Sequence, residues 1–149
     1  MKQIVAILGI AFGSLAQAQA QAHDHMDPYH LIFSQGAIHA HADWKTGPQT
    51  SGESILRVEW QSGSAHTPSE PPGPFEVSLW MPSMGHGSAP TRIQRVLDPQ
   101  GQPVEGVFEV SNMYFIMGGD WQAKVTLTYP DGHKETQIID VSLEGGGHH

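Results

Sequence analysis

Cysteine is absent from the chain. No disulfide can brace the fold, and neither thiolate nucleophiles nor thiolate metal ligands are available. Positive charge is scarce as well: seven Lys and Arg stand against fifteen Asp and Glu, a net charge of −8 with His neutral. Nucleic-acid binding depends on neutralising phosphates with clustered cations, so no nucleic-acid partner is expected. Long apolar runs are missing too. The longest, residues 4–15, falls short of the roughly 20 residues that span a bilayer, so no stable membrane insertion is expected. The sequence holds no Gly-x-Ser-x-Gly elbow, no His-Glu-x-x-His pair and no phosphate loop, and its carboxylates form no evident pair. A catalytic role is therefore not expected.

What is present begins with an export signal. Met1-Lys2-Gln3 is a short basic start, residues 4–15 are apolar, and residues 16–22 alternate Ala and Gln in overlapping small-x-small sites. This pattern predicts a cleaved signal peptide over residues 1–22, with the mature chain starting at Gln19, Gln21 or His23 in the periplasm or outside the cell. A His-rich leader is expected over residues 23–35, one domain over 36–144 and a flexible Gly-Gly-Gly-His-His tail over 145–149. A domain of that length buries a working core without staples.

Seventeen Gly and eleven Pro interrupt helical periodicity throughout the chain. Short alternating runs between turn clusters predict strands over 37–44, 54–61, 75–81, 91–97, 106–110, 121–129 and 134–143. In Ala123-Lys124-Val125-Thr126-Leu127-Thr128-Tyr129 every second residue is apolar, as a half-buried strand requires. Tyr129-Pro130-Asp131-Gly132 carries hairpin-turn chemistry. About seven strands at this spacing predict an all-β, immunoglobulin-like β-sandwich, with a small barrel as the alternative.

Ten His and six Met are the conspicuous chemistry of a chain without Cys. Met81-Pro82-Ser83-Met84-Gly85-His86-Gly87 puts two thioethers and an imidazole on one Pro/Gly loop directly after a strand. Soft thioether sulfur favours Cu(I), and imidazole accepts either oxidation state of copper. Met113-Tyr114-Phe115-Ile116-Met117-Gly118-Gly119-Asp120-Trp121 is a second cluster at a strand boundary. Nearer the N-terminus lie His23-Asp24-His25-Met26-Asp27-Pro28-Tyr29-His30 and then Ile38-His39-Ala40-His41-Ala42-Asp43-Trp44. Period two puts His39, His41 and Asp43 on one strand face and the apolar residues on the other. Two His at i and i+2 can chelate one Cu(II) or Zn(II). A signal cut after Ala22 would give His23 a free amine, and amine plus ring nitrogen can grip copper as a histidine brace; His25 would then be third from the amine. His66, in a Pro-rich loop, and His133, beside a turn, read as solvated. The four Trp read as core.

Residues 75–143 resemble the YtkA-like/FixH-like group of exported β-sandwich domains. The resemblance rests on Leu79-Trp80-Met81-Pro82-Ser83-Met84-Gly85-His86-Gly87 and on Tyr114-Phe115-Ile116-Met117-Gly118-Gly119-Asp120-Trp121. It implies an immunoglobulin-like fold and a link to copper handling or oxidase maturation, and it points to Met81, Met84, His86 and Met117. The chain lacks the membrane helix of FixH-type members. The expectation is therefore a periplasmic copper carrier, buffer or resistance factor. Met81, Met84, His86 and Met117, with Met113 nearby, would take Cu(I). His23, His25, His39 and His41 would take Cu(II), and envelope proteins would donate and accept the metal. One site or two is left open. A metal-free envelope interaction module and a brace-type copper oxidase are the alternatives.

Overall fold

The computed structural model describes residues 28–144. The expected signal peptide, His23, His25 and the 145–149 tail lie outside the described residues.

The strands form because apolar side chains recur at every second position. Along β3 (Ser54–Ser62) and β8 (Gly119–Thr128) buried and less buried residues alternate almost without a break. β4 (Phe75–Met81) and β9 (Lys134–Leu143) have the bounds that alternation predicts. β2 (Ile38–Thr46), β6 (Arg92–Leu97) and β7 (Pro103–Met113) match three more predicted strands, with β7 longer at both ends. Two further strands fall outside the expected set: β1 (Tyr29–Phe33), inside the stretch expected to be leader, and the two-residue β5 (His86–Gly87).

The nine strands of the described residues make two antiparallel sheets, ordered β1-β2-β3-β7-β6 and β5-β4-β8-β9. The chain passes from one sheet to the other after β3, β5 and β7. The fold is an all-β sandwich, as expected. Its core is a single cluster drawn from both inner faces, including Phe33, Leu56, Trp60 and Val110 from the first sheet and Leu79, Trp121, Val125 and Leu127 from the second. Aromatic edges join the layers. Phe75 stands 5.1 Å from both Trp60 and Phe108, and Phe115 stands 5.5 Å from Trp121. Each fully buried Leu, Phe or Val contributes about 1.5–3 kcal/mol relative to exposure, which is how a chain without disulfides holds together.

Two constraints fix the segments that carry the N-terminal imidazoles. The turn between β1 and β2, Ser34–Gly36, holds Ser34 and Gln35 at left-handed φ values of 54° and 55°. It is tied to the second sheet: Ser34 Oγ lies 2.6 Å from the Tyr129 hydroxyl, and the Ser34 amide donates to Glu135 at 3.0 Å. The loop after β3 then presses on that turn. Gly63 donates to the Ala37 carbonyl at 2.8 Å, and any side chain at Gly63 would collide with the Gly36 carbonyl.

Candidate metal sites

The Met81 to Gly87 motif ends β4 and turns into β5. Amides of Met84 and Gly85 donate to the Met81 carbonyl at 3.2 and 2.8 Å, closing a tight turn. Gly85 sits at φ +67°, a left-handed position that suits glycine. Register pairs Met81 with His86, so both project to the same side of the sheet. His86 therefore faces the end of the core, its ring edge 6.1 Å from Trp121.

The second motif comes to the same place. The Trp121 indole donates to the Met117 carbonyl at 2.9 Å. A Cβ at Gly119, where φ is +127°, would lie 2.6 Å from the Met81 methyl, so the Met81 thioether occupies the room that this glycine leaves. The Ser88 hydroxyl donates to the Tyr114 carbonyl at 2.7 Å and ties the two loops together. Thus Met81, His86, Met117 and Trp121, 40 residues apart at the extremes of sequence, meet at one end of the sandwich.

The expected sulfur ligands divide by burial. Met84 and Met117 are 55% and 39% exposed, whereas Met81 and Met113 are 2% and 0% exposed within the core cluster. Thioether side chains fill irregular gaps well, and Met81 and Met113 do that here. Tyr114 and Ile116 are exposed beside Met117.

His39 and His41 lie far from that loop, on the outward face of the first sheet. Ala40 and Ala42, their alternates, are fully buried. The structure adds two imidazoles that sequence reasoning left out. His30 on β1 is the direct cross-strand partner of His41, and their ring centres are 4.5 Å apart. His30 also stands 4.7 Å from His39, with its Nε2 hydrogen-bonded to His39 Nδ1 at 2.9 Å. His66 closes the group from the loop after β3, its ring 5.4 Å from His39. That loop is curled by bonds from Ser62 to Thr67 and from His66 back to Ser62, 3.0 and 2.9 Å long.

One nitrogen in this patch is unpartnered among the described residues: His41 Nε2 is buried and has no hydrogen bond there. Burial pushes the His41 pKa below its usual value, His30 adds to that push, Glu59 pulls the other way less than His30 does, and His39 and His66 lower it a little further. His41 therefore favours the neutral form, whose free lone pair is what a metal requires. Glu59 itself is engaged by Arg57 at 2.8 Å. Among the described residues no three His, Asp or Glu side chains already converge as a metal cage. The rings of the patch stand side by side, with His30 and His39 using one nitrogen each on one another.

A signal for His30 existed in the alternation Tyr29-His30-Leu31-Ile32-Phe33, whose Leu31 and Phe33 are buried. None existed for His66, whose place depends on the path of a loop. The class that these features define is a β-sandwich with a Met/His loop at one end and an imidazole patch on one outer face.

Neither a scan against protein-family models nor a search of curated proteins returns a match for this chain. Among the described residues no helix is long and apolar enough to cross a membrane.

Proposed function

We propose that this protein is an exported, non-catalytic copper carrier or buffer that binds Cu(I) through Met84, His86 and Met117, above a floor made by Met81 and Trp121. The observation that carries the reading is the convergence of two separate sequence motifs, through Trp121, at one end of the sandwich. Two exposed thioethers and one half-buried imidazole are a soft donor set suited to Cu(I). Their exposure lets the metal leave by ligand exchange to an envelope acceptor. His39 and His41 add borderline donors suited to Cu(II).

A competition titration of the exported protein with Cu(I) tests this. The parent is expected to take up one equivalent, and Met84→Ala with His86→Ala is expected to abolish uptake while far-ultraviolet dichroism is unchanged. Undiminished Cu(I) binding by that double variant would refute the assignment.

A second reading has its own support. Met84, Tyr114, Ile116 and Met117 are exposed apolar residues on the two loops at that end, and such a surface suits docking to another protein. A metal-free interaction module predicts no stoichiometric copper uptake and no metal-dependent rise in Tm.

A further inference from the structure

We propose that His30, His39, His41 and His66 form one site for a divalent, imidazole-preferring metal ion, Cu(II) foremost, on the outer face of the first sheet. The choice of copper rests on the function proposed above; the site itself does not, because it shares no residue with the Met84 and His86 loop.

The spacing of the rings is the first argument. Adjacent imidazoles sharing one ion at metal–nitrogen distances of about 2.0–2.1 Å keep their ring centres about 4.5–5 Å apart. Here the rings touch in series, His41 to His30 at 4.5 Å, His30 to His39 at 4.7 Å and His39 to His66 at 5.4 Å, so two of the three contacts already have that spacing and the end rings must turn inward to share an ion. The backbone positions are fixed from three directions: β1–β2 register sets His30 opposite His41, strand alternation sets His39 beside it, and the Gly63 contact with Gly36 sets the loop that bears His66.

The second argument is the chemistry of the patch without an ion. His30 and His39 bond each other, but one buried nitrogen, His41 Nε2, has no partner among the described residues. Buried polar nitrogens are normally bonded, so an orphan within a ligand-type cluster, on a ring 4.5 Å from His30, points to a missing partner. Loading requires the His30–His39 hydrogen bond to open and the rings to turn about their side-chain torsions while the sheet stays as it is. Imidazole-only donors exclude hard ions such as Ca²⁺ and Mg²⁺, and the order of divalent affinities puts Cu(II) above Zn(II).

The test uses the full chain with His148→Ala and His149→Ala, titrated with Cu(II) and separately with Zn(II). Calorimetry is expected to give one equivalent of Cu(II), and electron paramagnetic resonance to show coupling to at least three imidazole nitrogens. His30→Ala and His66→Ala are each expected to weaken Cu(II) binding by about tenfold or more, the size typical of damage to a metal's ligand shells. His23→Ala with His25→Ala is expected to leave it unchanged, as is Met84→Ala with His86→Ala. The site is overturned if Cu(II) affinity survives His30→Ala and His66→Ala, or if it disappears with His23→Ala and His25→Ala instead. Failure of the Cu(I) reading is seen separately, as loss of Cu(I) uptake by the parent while Cu(II) uptake persists.

Discussion

The imidazole patch and the methionine loop fix their donors by different means. In the patch, His30, His39 and His41 hang from hydrogen-bonded strands, so their backbones are set by register. In the loop, Met84 and Met117 extend from turns, and only their neighbours Met81, His86 and Trp121 are anchored by the core. A rigid array of harder donors and a yielding array of soft ones suit different demands. The first favours a fixed coordination geometry, and the second favours quick exchange of an ion that tolerates many geometries. The two lie on different sheets, so the described residues supply two separate clusters rather than one.

Four substitutions probe that contrast. Trp121→Ala should act most strongly, because it removes the side chain joining both halves of the loop cluster to the core. It should cost about 3–5 kcal/mol in urea denaturation. Folded protein should lose Cu(I) affinity and keep Cu(II) affinity; equal loss of both would mean that the clusters are coupled. Next comes Gly63→Ala, where the added methyl meets the Gly36 carbonyl. Overpacking of this kind costs about 1–3 kcal/mol. Displacing the His66 loop should weaken Cu(II) binding and spare Cu(I).

A weaker response concerns pH in the metal-free protein. The folded-state pKa of His41 lies below its ordinary value of 6.5, through burial and then the neighbouring His30. As pH falls below 6.5 the unfolded chain takes up the proton first, so stability is complete above that value and declines on the way down through the folded pKa. His30, His39 and His66 add to the repulsion, and Glu59, held by Arg57, opposes it. Thermal melts should show Tm falling with acidification, with a shallower slope for His41→Asn. A slope unchanged by that substitution would locate the acid sensitivity elsewhere. Glu70→Gln should matter least. Glu70 pairs with Arg95 and accepts from the Gly106 amide at 2.9 Å, and the Arg95 hydrogen bond holds its carboxyl below the usual range. The pair is exposed, so the loss should be about 1 kcal/mol or less, with neither metal affinity altered.

The sheets were largely legible in the sequence because half-buried strands alternate, and alternation is local. β4 and β9 could be bounded to the residue on that basis. β1 was not, because its His and Tyr resemble a polar leader and because its turn uses Ser34 and Gln35 where glycine is the usual sign. β5 has only two residues, too few to show any period. The same division holds for the donors. That His39 and His41 share a face follows from period two, and Ala40 and Ala42 confirm it by their burial. That His30 faces His41 depends on cross-strand register, and that His66 reaches His39 depends on loop path; neither is a local property. For the methionines, sequence could group Met81, Met84, Met113 and Met117, but it could not tell the two that fill the core from the two that face outward.

The position of β1 gives the imidazole patch a mechanical side. Among the described residues it is an edge strand, bonded along its length to β2 alone, and edge strands are the first to fray. An ion gripped by His30 on one side and His39 and His41 on the other would rivet that edge shut. Amide exchange along residues 29–33 should then slow when metal is added, and the strength of the rivet should appear as extra resistance to proteolysis near the N-terminus. Peeling β1 away would, by the same linkage, pull one ligand out of the site and make the metal easier to surrender.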